Sequence, residues 1–290
     1  MPIPPMPDSA RAPTVAQVVA ILDTLFPPAL AEPWDAVGLV VGEPDAPAGR
    51  VAFAVDPVRR AVDEALDWGA DLLVVHHPLL LRPVNSVAAT TFKGAIVHRL
   101  IANGCALYTA HTNADAAPGG VADALADAIG LLGCGALVPA ADDAGGLGRV
   151  GHLALPLRLR DFAELVARAL PATCHGVRVA GDLDGQVATV AVVAGAGDSL
   201  FDEVRGAGAD AFVTADLRHH PASEARERAL FDGSGRPYLV DVSHSASEWH
   251  WLARAAEGLT ACVSGLGARV VTTVSRAVAD PWDARIGGEA

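Results

Sequence analysis

The sequence predicts an α/β protein of two similar domains, each built on a βαβ unit, with a cleft between them. Two observations carry the fold: short apolar runs alternate with stretches of helical periodicity through the first half, and that order recurs in the second half. Thr14 to Phe26 sets apolar residues at helical spacing behind a threonine cap, and Pro27-Pro28 stops it. Arg50 to Val55 reads as a buried strand, Pro57 to Trp68 as a helix closed by Gly69, and Ala70 to Val75 as a second buried strand. A helix over Lys93 to Ala102, a strand over Cys105 to Ala110 and a helix over Val121 to Ile129 continue the alternation.

The recurrence is a weak internal repeat. VAFAVDPVRRAVDEALDWGADLLVVHH from Val51 aligns with VAVVAGAGDSLFDEVRGAGADAFVTAD from Val190. Glu64 and Gly69-Ala70-Asp71 fall on Glu203 and Gly208-Ala209-Asp210, while His76 and His77 fall on Ala215 and Asp216. A second echo follows: one strand runs into His111-x-x-x-Asp115 and another into His244-x-x-x-Glu248. The Gly- and Asp-rich stretch 141–149 is the expected linker between a first domain over 1–140 and a second over 150–290.

With 290 residues, 51% of them hydrophobic and 19% charged, the chain has apolar material for two packed cores and is not globally disordered. Its 34 acidic against 21 basic residues, a formal charge of −13, leave no basic tract to follow a nucleic-acid backbone. Lys93 is the only lysine, in no Walker-type context, which argues against Schiff-base and phosphate-loop chemistry. Cys105, Cys134, Cys174 and Cys262 show no paired spacing and are expected to be reduced, buried and apolar in role. Prolines interrupt the N-terminus where a signal peptide needs its apolar stretch, and no apolar run is long enough to span a bilayer, so a cytoplasmic protein without membrane contact is expected.

His76 and His77 follow LLVV and precede Pro78, so both rings leave the strand at its carboxyl end, where open α/β sheets bind ligands. His244 and Glu248, four apart, share one helix face, and His111 and Asp115 have the same spacing. Together His76, His77, Asp115, His244 and Glu248 offer the imidazole and carboxylate mixture suited to Zn, Fe, Mn, Ni or Co. Five such ligands exceed one tetrahedral site and suit two divalent ions roughly 3.5–4 Å apart, an arrangement used for hydrolysis. His111 is a candidate acid/base group or a partner that steadies a ligand, with a packed histidine as the plain alternative; Asp35 and His220 are weaker steadying candidates. Gly195-Ala196-Gly197 reads as a tight strand-to-helix connection in preference to a dinucleotide site, and Trp249 to Trp251 as packing for the ligand-bearing helix.

These motifs in this order resemble the NIF3-like family, also known as GTP cyclohydrolase 1 type 2 homologues. The resemblance runs through Trp34 to Leu39 with Val41-Gly42, the DLLVVHHPL segment from Asp71, Tyr108 to Asp115 with Gly119-Gly120, Thr214 to His220, and Asp241 to Glu248. It implies a two-domain α/β fold, a dinuclear metal centre on the same five residues, and a ring-shaped homohexamer. Ala36 stands where the family usually has Asn, and Ala215 where it has Gly, which bears on substrate contacts and not on the ligands. The extra domain that longer members insert between the halves has no counterpart near Ala141. The function so implied is metal-activated water attacking a small-molecule substrate, as cyclohydrolase or phosphoesterase chemistry on a nucleotide or phosphoester. Two alternatives stand beside it: a metal-binding regulatory, storage or chaperone-like ring without turnover, and a nucleotide-binding α/β domain without metal.

Overall fold

Thr14 opens the first helix with a reciprocal cap: its hydroxyl accepts from the Gln17 amide while the Gln17 side chain accepts from the Thr14 amide. From that helix, α1 (Val15–Leu25), the computed structural model runs through β1 (Gly38–Val41), β2 (Arg50–Ala54), α2 (Arg59–Trp68), β3 (Leu72–Val75), α3 (Phe92–Ala102), β4 (Ala106–Thr109) and α4 (Thr112–Ala116). It continues through α5 (Val121–Ala128), β5 (Leu132–Pro139), β6 (Gly146–Arg158), α6 (Leu159–Ala169), β7 (Arg178–Ala180), β8 (Gln186–Ala196) and α7 (Phe201–Gly206). The last elements are β9 (Ala211–Ala215), α8 (His219–Phe231), β10 (Tyr238–Val242), α9 (His244–Gly265) and β11 (Val271–Val274). The structure describes residues 12–140, 145–277 and 279–287.

The chain divides into two units, Met1–Ala117 with Leu252–Ala279 and Pro118–Trp251 with Asp280–Ala290. In the first, a sheet of order β1-β4-β3-β2-β11 is parallel except for β1. Every residue of β3 and β4 is buried, which is why those strands read as continuous apolar runs. Leu73, Val75 and Leu107 meet Ala61, Val62 and Ala65 of α2 and Ile96 and Leu100 of α3 in one core cluster. In the second unit the order is β5-β6-β8-β9-β10-β7, with β8, β9 and β10 parallel and the outer strands antiparallel. Its cores gather Phe162, Val190, Val213 and Val240 in one cluster and Phe201, Phe212 and Leu239 in another.

The repeat holds in strand register. Val51 pairs with Leu72 and Val190 with Ala211, and these are equivalent positions of the two aligned segments. Each Gly-Ala-Asp has a local reason. Gly69 ends α2 at φ +79° and Gly208 follows α7 at φ +66°, left-handed geometry that glycine adopts without a Cβ clash. The aspartate then clamps the start of the preceding strand: Asp71 accepts from the Arg50 amide at 2.8 Å, and Asp210 from the Ala188 and Thr189 amides at 2.8 and 2.9 Å.

The linker expected at 141–149 is not where the units divide. Positions 146–149 lie in β6, which pairs with β5 through Val138–Leu147 and Pro139–Gly146, while 141–144 fall outside the described residues. A Gly- and Asp-rich stretch marks a hairpin turn as readily as a domain joint, and here the hairpin lies wholly in the second unit. The first unit is discontinuous because β11, late in the chain, pairs with β2. Among the described residues no helix is long and apolar enough to cross a membrane.

Candidate metal centre

In the first unit the carboxyl ends of β2, β3 and β4 bring three imidazoles together. The amides of His76 and His77 both donate to the Val55 carbonyl, at 3.1 and 2.9 Å, which turns the chain as it leaves β3. The ring Nδ1 of His76 lies 2.9 Å from the Ala110 carbonyl. A carbonyl only accepts, so Nδ1 carries the proton of the neutral ring. His77 Nδ1 donates in the same way to Asp56 at 2.8 Å, and His111 Nδ1 to Asp35 at 2.8 Å. Ring nitrogens of His76, His77 and His111 lie within 4.8 Å of one another, and Asp115 Oδ1 stands 3.7 Å from His76 Nε2.

A polar knot holds this cluster. Asp35 accepts from His111 Nδ1, from the Thr112 amide and hydroxyl, and from the Ala36 amide. Burial works to raise the Asp35 pKa, but those hydrogen bonds outweigh it and hold the carboxyl below its ordinary value. Asn113 accepts from the His111 amide at 2.9 Å and donates to the Phe26 carbonyl at the end of α1 at 2.7 Å, so the segment after β4 is tied to the first helix. The His111 pKa is lowered, first by burial and then by the neighbouring His76, against the upward pull of Asp35. Burial and His76 together favour the neutral imidazole.

In the second unit β10 ends at Val242, and after Ser243 the chain enters α9 at His244. Glu248, one turn on, is buried, with Oε1 3.0 Å from His244 Nε2. His244 Nδ1 donates to Asp216 at 2.7 Å, which leaves Nε2 turned towards Glu248. Asp216 itself holds φ +53°, a left-handed conformation at the end of β9 that aspartate tolerates better than most residues. Gly195, at φ +66° in β8, is where the strand passes the pair: a Cβ there would lie 2.7 Å from Glu248 Oε1 and 3.1 Å from His244 Nε2. Its backbone is pinned from both sides, the amide donating to Ser247 Oγ at 2.8 Å and the carbonyl accepting from Thr214 Oγ1 at 2.9 Å.

The structure thus gathers His76, His77, His111 and Asp115 in the first unit, and His244 with Glu248 in the second. Asp35 steadies His111. His220 stands exposed on α8, its ring 5.1 Å from that of His219. Two carboxylates escaped the sequence reading: Asp56, which orients His77, and Asp216, which orients His244. Their signal is position, since each lies just beyond a strand end. The expectation of buried cysteines needs correction. Only Cys105 is buried, its thiol pushed up to about 12 chiefly by burial; Cys134 and Cys262 are exposed and Cys174 is half-buried, all free thiols. Cys134 lies where β5, at the edge of its sheet, turns its first residues outward.

Residues 13–281 match the family model Duf34/NIF3 (NGG1p interacting factor 3). The chain is 52% identical over 277 residues to a "GTP cyclohydrolase 1 type 2 homolog" of Streptomyces coelicolor, covering 94% of this chain and 95% of that one. It is 36% identical to a protein of the same name from Mycobacterium tuberculosis, covering 93% and 96%. Among solved structures, a Bacillus cereus protein related to NIF3 superposes with a TM-score of 0.86 at 24% identity, over 94% of this chain and 99% of that one, a likeness of fold.

Proposed function

This chain belongs to the Duf34/NIF3 family, and from that premise we propose that it is a metal-dependent hydrolase. Two divalent transition-metal ions, Zn, Fe, Mn, Ni or Co, would be held by His76, His77, Asp115, His244 and Glu248. The observation that supports this reading best is the protonation pattern of the imidazoles. His76, His77 and His244 each commit the Nδ1 proton to an oxygen, from Ala110, Asp56 and Asp216, which fixes the tautomer and ring orientation of a ligand and raises its basicity. Nitrogen and oxygen donors in this proportion suit the ions named.

Bound ions supply the charge that lowers the pKa of a water and polarises the reacting substrate atom. The chain supplies the rest. Asp56, Asp216 and the Ala110 carbonyl hold the imidazoles in place, and the neutral His111, oriented by Asp35, is the acid/base group that accepts a proton at Nε2 and returns it to the leaving group. The substrate is a nucleotide or another phosphoester; the name carried by the relatives favours GTP and attack on its purine ring. A homohexameric ring in the cytoplasm is part of the same reading, and light scattering that finds a monomer at micromolar concentration removes the hexamer.

The test is elemental analysis of protein expressed without added metal, followed by assay of the metal-reconstituted protein against GTP and a phosphoester panel, with His77→Ala and Glu248→Ala alongside. Turnover that needs metal and fails in both variants is expected. Turnover that survives both substitutions rejects the hydrolase, and stoichiometric metal with no turnover on any substrate leaves the non-catalytic metal-binding ring.

A further inference from the structure

A cavity of about 340 Å³ lies inside the first unit, between the first turns of α2 and α3 and the ends of β2 and β3, and His77 and Asp56 form one of its edges. Its walls are of two kinds. Leu79, Ile96 and Phe92 make it apolar, while Arg59, Lys93 and Arg99 line it with cations. The charges do not cancel. Among the described residues Asp63 is the single carboxylate that serves both Arg59, at 3.5 Å, and Arg99. Asp56 is committed to the Nδ1 proton of His77. Lys93 has no carboxylate partner among the described residues; its ammonium stands 5.9 Å from the centre of the neighbouring Phe92 ring. A chain of net charge −13 therefore puts its only lysine, unpaired, into an apolar pocket beside a proposed metal ligand.

A second cavity, of about 310 Å³ in the other unit, engages its cations through contacts within the fold. Its Arg178 is paired with Asp241, and its Arg226 donates to the Gly235 and Pro237 carbonyls at 2.8 and 2.7 Å. Arg226 has no carboxylate there, but its Nη1 is taken up by those carbonyls and its guanidinium lies over the Tyr238 ring.

We propose that the cavity at His77 is an organic-anion site, and that its ligand is a phosphate monoester with a planar or apolar body. Lys93 grips the phosphate as a mobile point charge, Arg59 and Arg99 add to the field while remaining on Asp63, and Phe92 and Ile96 cover the body. The volume suits one small molecule and not a polymer. The inference deepens the hydrolase reading by naming the subsite that holds the substrate anion next to the metal ligands, and it rests on that reading only for turnover, not for binding.

Phenyl phosphate is the probe, titrated by calorimetry into the full-length protein after metal removal and again after metal loading, with metal content read by elemental analysis. Saturable binding in the metal-free protein is expected, weakened about tenfold or more by Lys93→Gln, the loss of one charge-assisted contact, and largely retained in Lys93→Arg. Phe92→Ala should weaken phenyl phosphate and leave inorganic phosphate unchanged. Equal affinity of wild type and Lys93→Gln in the metal-free protein, or no binding to that protein at all, overturns the site. A protein that takes no metal yet binds phenyl phosphate through Lys93 keeps the site and rejects the hydrolase instead.

Discussion

The two units use one βαβ frame and place chemistry on it differently. Three pairs of equivalent positions make the contrast. At the end of the first strand, Asp56 of the first unit corresponds to Gly195 of the second. At the end of the next strand, His76 and His77 correspond to Ala215 and Asp216. In the first unit, then, β2 supplies the orienting carboxylate and β3 the two imidazoles. In the second, β8 supplies only room, β9 supplies the orienting carboxylate, and the ligand candidates come from the first turn of α9. The frame dictates where side chains emerge, at the carboxyl ends of parallel strands, and leaves open which of them bears a ligand. The Asp71 and Asp210 clamps are common to both units, because strand starts need the same backbone anchoring on either side of the repeat.

The largest effect expected is on the ligand candidates themselves. His77→Ala and Glu248→Ala should each reduce metal affinity by more than the roughly 10–100-fold that follows loss of an outer partner, as read by metal titration. A deficit confined to one of the two variants would break the five-ligand reading. Next come the orienting carboxylates. Asp56→Ala and Asp216→Ala should each cost about 10–100-fold in metal affinity, and a large difference between them would mean that the two units do not steady their imidazoles equivalently.

Gly195→Ala sharpens the contrast further. Its Cβ would crowd Glu248 and His244 in a left-handed conformation, so a loss of metal affinity together with about 1–3 kcal/mol of stability is expected in urea unfolding. Asp56→Gly, at the equivalent position, should lose affinity without that backbone strain. A Gly195→Ala protein as stable as wild type would contradict the close approach.

The smallest effect is on pH. The His111 pKa is lowered in the fold from its ordinary 6.5, so below 6.5 the unfolded chain takes a proton that the native chain refuses. Stability of the metal-free protein should therefore fall as pH drops from 6.5 towards the depressed native value, by less than about 1.4 kcal/mol per pH unit. Asp35, also lowered, adds a second loss only below 3.8, since its ionised form is stabilised in the native state. Urea unfolding at pH 7.5 and 5.5 with His111→Gln as control checks this. An unchanged slope in the variant would assign the effect to other groups.

Much of the candidate site was legible in sequence because helical spacing and strand ends are local properties. The His244 and Glu248 pair needed only an i, i+4 relation, and α9 provides it. His76 and His77 needed only a strand that stops before a proline. Asp56 and Asp216 were not legible, since an aspartate after a strand reads equally as a turn residue until an imidazole is found against it. The roles of Thr112 and Asn113 were hidden for the same reason: their partners, Asp35 and Phe26, lie far back in the chain.

Composition, apolar periodicity and the repeat by themselves determined the α/β alternation and the extents of β2, β3 and β4, and singled out the candidate ligands, because each depends on neighbours a few positions away. The division into units, the hairpin where a linker was expected, the committed Nδ1 protons and the exposure of two of the four cysteines were decided only in three dimensions. These depend on which distant strand ends and loops pack together. That choice is made by the burial of whole sheets, and no short stretch of residues encodes it.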